Sequence, residues 1–104
     1  MQTVVFDKTS LIQQLSGNGD DIRAFGVKKL GIFGSFAKDK NIKDNSDVDF
    51  LVEFEPEKKT YDNFINLSFY LEDLLGRKIE LVTPQSLSKH IGPYILNEVE
   101  NVCL

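Results

Sequence analysis

"GIFGSFAKDKNIKDNSDVDFLVEF", Gly31 to Phe54, decides how this chain folds. In its second half Val48, Phe50, Val52 and Phe54 alternate with Asp47, Asp49, Leu51 and Glu53. That period of two marks a strand over Asp47 to Phe54 with one face buried. Val27 to Phe33 reads as a second short strand just upstream. Between the two, Gly34-Ser35 precedes a short helical turn, "SFAKD", and a polar loop follows.

Outward from this stretch, helices and strands alternate. Asp7, Thr9 or Ser10 can cap a first helix through Leu15 that Gly17 and Asn18 end, and Asp20 to Phe25 can add another turn or two. Thr60 can cap a helix with the apolar stripe Phe64, Leu67, Leu71 and Leu74, stopped by Gly76 in a left-handed conformation. "KIELVT", Lys78 to Thr83, is a third strand with Ile79 and Leu81 facing inward and Glu80 facing the other way. Thr83-Pro84 reads as a cap and first helical residue. A last helix begins near Pro93 with the stripe Ile91, Ile95, Val99 and Val102. The expected class is α/β, a small sheet covered by helices.

Bulk properties narrow the function. The 104 residues suit a single domain spanning 1–104,. The formal charge of −4 is the wrong sign for a chain that works by gripping nucleic acid backbones,. No apolar run is long enough to cross a bilayer, and Met1 to Phe6 carry no basic start, so an unprocessed cytoplasmic protein is expected. The single cysteine, Cys103, permits no internal disulfide, in keeping with a reducing compartment,. His90 reads as a surface or capping residue. No repeat, low-complexity tract or linker interrupts the chain.

The chemistry lies in the acids. Asp47 and Asp49 project on the same side of a strand about 6.5 to 7 Å apart. At an effective dielectric near 20 they repel by about 2.5 kcal/mol, against about 0.6 in bulk water. Flanked by "IFGSF" and "FLVEF", they call for neutralisation, and Mg²⁺ meets that need while keeping positions for water and substrate phosphates. Glu80, on a neighbouring strand, would be a third acid able to complete a two-metal group for an in-line displacement. Gly34 lets a phosphate approach the backbone, and the Ser35 hydroxyl and the free N–H groups at the helix start are donors to it. Lys38, Lys40 and Lys43 add positive charge nearby. An EF-hand starting at Asp39 fails, because Asp44 and Phe50 stand where it needs glycine and glutamate. No GxxxxGK[ST] is present, and Gly31 with Gly34 is only half of a dinucleotide fingerprint.

"FGSFAKDKNIKDNSDVDFLV", with "GRKIELVT" and the closing "SLSKHIGPYILNEVENV", resembles the DNA polymerase beta-like nucleotidyltransferase superfamily. Within it, the pattern is most similar to the minimal nucleotidyltransferase (MNT) antitoxins of HEPN/MNT toxin–antitoxin pairs. The resemblance implies a small mixed β-sheet flanked by helices. It places Gly34 and Ser35 at the nucleotide phosphates, and Asp47, Asp49 and Glu80 as metal-binding and catalytic acids. It further implies transfer of AMP from ATP, with Mg²⁺, onto a tyrosine of a partner HEPN RNase toxin in a hetero-oligomer. Three features depart from the pattern. Lys38-Asp39 replaces an Arg-Gly, the loop from Phe36 to Ser46 is slightly long, and Glu80 stands where aspartate is usual. A catalytically weak or inactive antitoxin that neutralises by binding alone is the alternative. Nucleotide transfer to a small molecule is a third, although it normally needs a further substrate-binding domain.

Overall fold

A computed structural model describes residues 4–104. Residues 1–3, part of the opening segment considered for a signal peptide, lie outside the described residues. Four strands form one sheet in the order β3-β2-β1-β4: β1 is Val27–Phe33, β2 Val48–Phe54, β3 Ile79–Val82 and β4 Glu100–Asn101. The sheet is mixed, with β1 antiparallel to β2 and β4, and β2 parallel to β3. A parallel pair needs a crossover connection, supplied here by helix α4, Tyr61–Leu75.

Along β2 the alternation is complete: Val48, Phe50 and Val52 are fully buried and Phe54 nearly so. Register carries that face across the sheet, since Leu30 pairs with Val52, Ile32 with Phe50 and Leu81 with Phe50. Helices α1 (Lys8–Gly17), α2 (Gly19–Ala24) and α4 supply Leu11, Leu15, Ile22, Leu67, Leu71 and Leu75 to the same core. Each such side chain contributes about 1.5–3 kcal/mol on leaving water. Of the stripe expected on α4, Leu67 and Leu71 are fully buried and Phe64 and Leu74 partly so, while Leu75 joins them.

The helix ends follow their local chemistry. Asp7 caps α1 by accepting from the Ser10 N–H at 2.8 Å, and Ser10 Oγ accepts from the Asp7 N–H in return. Thr60 caps α4, accepting from the Asn63 N–H at 3.1 Å. Gly76 ends α4 at φ 68°, a conformation that costs glycine nothing,. Thr83 caps a single 3₁₀ turn, Pro84–Ser86. No helix among the described residues is long and apolar enough to cross a membrane.

The C-terminal helix is shorter than its periodicity suggests. Helix α5 spans Gly92–Glu98, Ile91 is 59% exposed, and the chain turns extended at Val99. Glu100 and Asn101 then pair with Ile32 and Gly31, and the Val102 N–H donates to the Leu30 carbonyl at 2.8 Å. The expected helical stripe through Val99 and Val102 is therefore corrected. Without this segment the outer edge of β1 would leave backbone groups unpaired, and pairing them outweighs two more residues of helix,.

Candidate active site

The face of the sheet opposite the core carries the predicted residues. Across the ladder Phe33 pairs with Asp49 and Asp49 with Glu80, so both acids lie on one row and one face,. Gly34 follows at the end of β1 and opens helix α3, Gly34–Lys38. Its φ is 74°, and a Cβ added there would lie 2.2 Å from Asp49 Oδ2. Glycine is needed twice over: for the left-handed backbone and for the carboxylate resting against it. Phe33 occupies the N-cap without a side-chain bond to the first turn. The leading N–H groups of Gly34 and Ser35 thus begin a helix that no side chain caps.

Asp49 and Glu80 are in direct contact. Asp49 is half-buried, and its carboxyl is pushed up from 3.8 to about 6. Burial is the main cause, then the Glu80 charge and a hydrogen bond to Glu80, and last the Asp47 charge,. Glu80 is itself exposed, and its longer side chain reaches Asp49. Asp47 stands apart. It precedes β2 instead of opening it, is exposed, and lines an open hollow with Asp44, Asn45, Ser46, Gly76, Arg77 and Lys78. Among the described residues no three His, Cys, Asp or Glu side chains stand close enough to hold a metal ion. The pair Asp49–Glu80 nevertheless fits Mg²⁺. Two adjoining carboxylates whose charges oppose each other are a donor set a cation relieves, and Mg²⁺ is usually held by one or two carboxylates, with waters and phosphates completing its shell.

The lysines are arranged less simply. Lys38 Nζ lies 3.3 Å from Glu98 Oε1 on α5, whereas Lys40 and Lys43 are exposed. Asp39, which replaces the glycine of the family pattern, adopts φ 55° and ψ 40°, and its Oδ1 accepts from the Lys8 N–H at 3.1 Å. Aspartate is among the few non-glycine residues that visit this region, and here its side chain is tied to the start of α1.

A further residue escaped the sequence. Arg77 Nε donates to the Val5 carbonyl at 2.6 Å, and Nη1 donates to the carbonyls of Lys43 at 2.8 Å and of Asp44 and Ser46 at 3.2 Å. Its guanidinium carbon lies 5.2 Å from the centre of the Phe36 ring. The available signal was its place between the Gly76 cap and β3.

Comparison with known proteins follows the same lines. The family model described as "Nucleotidyltransferase domain" matches residues 19–102. This chain belongs to the nucleotidyltransferase family. As a nucleotidyltransferase it is 45% identical over 75 residues to "Protein adenylyltransferase MntA" of Thermococcus cleftensis, covering 72% of this chain and 74% of that one. A solved candidate minimal nucleotidyltransferase superposes with a TM-score of 0.78 at 26% identity, covering 90% of this chain and 94% of its own. The same fold recurs at a TM-score of 0.60 and 16% identity in a structure of a tri-AMPylated Shewanella oneidensis HEPN toxin in complex with MNT antitoxin, covering 86% and 70% of the two chains. The nucleotidyltransferase fold, a four-stranded mixed sheet flanked by helices, is thus present in this enzyme.

Proposed function

We propose that this nucleotidyltransferase is an antitoxin that transfers AMP from ATP to a tyrosine of a partner HEPN-family RNase toxin. The observation that carries the proposal is the contact of Asp49 with both Gly34 and Glu80, which sets an acidic pair against an uncapped helix start in a chain 45% identical to a protein adenylyltransferase. In this mechanism the Gly34 and Ser35 N–H groups and the Ser35 hydroxyl hold the triphosphate. Asp49 and Glu80, joined by Asp47 from its exposed position beside them, would hold Mg²⁺. Bound there, the cation would supply positive charge to offset the triphosphate and favour departure of pyrophosphate.

The remaining steps fall to the protein. The tyrosine oxygen attacks the α-phosphorus, its bond to the bridging oxygen breaks, and pyrophosphate leaves with the electron pair. A carboxylate, Glu80 or one of the aspartates, accepts the phenolic proton. The toxin and ATP are the partners, with no nucleic acid bound directly. Asp47's separation from the other acids favours one second reading, an antitoxin that acts by covering the toxin. Neutralisation in cells separates the two: with Asp47→Asn and Asp49→Asn together, the enzymatic reading expects the toxin to be released, and continued neutralisation would sink it.

A further inference from the structure

We infer that Arg77 is a positioning residue for nucleotidyl transfer, holding the turn that delivers Asp47 in register with the segments that carry Ser35 and Glu80; the inference rests on the function proposed above. Arg77 stands three residues before Glu80, directly after the left-handed Gly76. Its Nη1 donates to the carbonyls of Lys43, Asp44 and Ser46, the last of which adjoins Asp47. That segment is a tight turn in its own right, because the Ser46 N–H donates to the Lys43 carbonyl at 3.0 Å and the Lys43 N–H to Ser46 Oγ at 2.9 Å. One guanidinium therefore grips the turn as a body. The far side of Asp47 is fixed by a separate bond, from the Val48 N–H to the Lys78 carbonyl at 3.1 Å.

The same guanidinium lies over the face of Phe36, a fully buried residue next to Ser35. Its Nε reaches the Val5 carbonyl, and the Val5 N–H in turn donates to the Leu75 carbonyl at 3.0 Å. Three segments distant in sequence thus converge on one planar group, and two of them, the 43–46 turn and Phe36, adjoin the proposed site residues Asp47 and Ser35. Lysine carries the charge but has neither the fork nor the plane for this arrangement. Precision matters because a misplacement of about 1 Å costs on the order of 100-fold in rate.

The experiment uses the full chain with its toxin partner, Mg²⁺ and ATP labelled at the α-phosphate, comparing wild type with Arg77→Lys, Arg77→Ala and Asp49→Asn. In Arg77→Lys, backbone amides at 43–48 should exchange hydrogen at least about tenfold faster while those of Leu30 and Val52 keep their protection. Its kcat should fall by about 10–100-fold and its half-saturating Mg²⁺ concentration should rise, with the KM for ATP nearly unchanged. Added guanidinium ion should restore part of the activity of Arg77→Ala. Transfer by Arg77→Lys at the wild-type rate overturns the inference. So does lost kcat with unchanged exchange at 43–48, which would mean that Arg77 acts by touching the nucleotide. A wild type that transfers nothing, or an Asp49→Asn variant that still transfers, overturns the functional proposal alone. In that case the exchange data still decide whether Arg77 holds the turn.

Discussion

Asp49 lies between two neighbours with opposite effects: Gly34 leaves it room, and Glu80 opposes its charge. Its native value of about 6 stands above the 3.8 of the free group, so the native state keeps a proton that the unfolded chain releases. Stability from this group is fully present below 3.8 and is lost as pH rises through about 6,. In chelator, the melting temperature of the wild type should therefore fall over that window relative to Asp49→Asn, which has no such proton to lose. At neutral pH Asp49→Asn should melt higher than wild type while losing transfer. Mg²⁺ should raise the wild-type melting temperature at neutral pH and have little effect in mild acid, where the proton competes. Equal melting shifts at both pH values would count against a cation site at these carboxylates.

Gly34→Ala should be more damaging than its size suggests. A non-glycine residue in the left-handed region costs about 1–2 kcal/mol, and the new methyl would displace the Asp49 carboxylate. Thermal melts and transfer assays should both record the loss. At this scale Gly34, Asp49 and Glu80 were legible because motif and strand period act locally. Arg77 was not, since its acceptors lie at Val5 and at 43–46, 31 to 72 residues away in the chain.

Among the elements, β2 was the easiest to read, because each alternate residue meets either core or open face. Only its first residue differs: Asp47 precedes the strand. Helix α4 was legible through its caps, Thr60 and Gly76. Leu71→Ala within it should cost about 2–5 kcal/mol in denaturant unfolding, as expected for a leucine with no exposure,. Thr60→Ala should cost about 1 kcal/mol by loss of the cap. The C-terminal region was misread because apolar residues at 91, 95, 99 and 102 satisfy a helical period, whereas the partner that decides the matter, the edge of β1, lies some seventy residues upstream. Its short strand β4 is thus set by tertiary pairing and not by local propensity.

For the molecule as a whole, the core lies on one face of the sheet and the acids on the other. Helices α1, α2 and α4 cover the first, leaving Asp49 half-buried and Glu80 exposed on the second. The α/β class followed from the alternation of elements, and the mixed sheet from the resemblance; the strand order depends on which edges meet. The central claim is that these acids move a nucleotide onto another protein. Its most direct test is to incubate the chain with Mg²⁺, ATP labelled at the α-phosphate and the co-encoded partner, and to follow both proteins by mass. We expect the partner to gain the mass of AMP on a tyrosine, with the gain abolished when Asp47 and Asp49 are both replaced by asparagine. A partner of unchanged mass, or one labelled equally well by the double variant, would contradict the account.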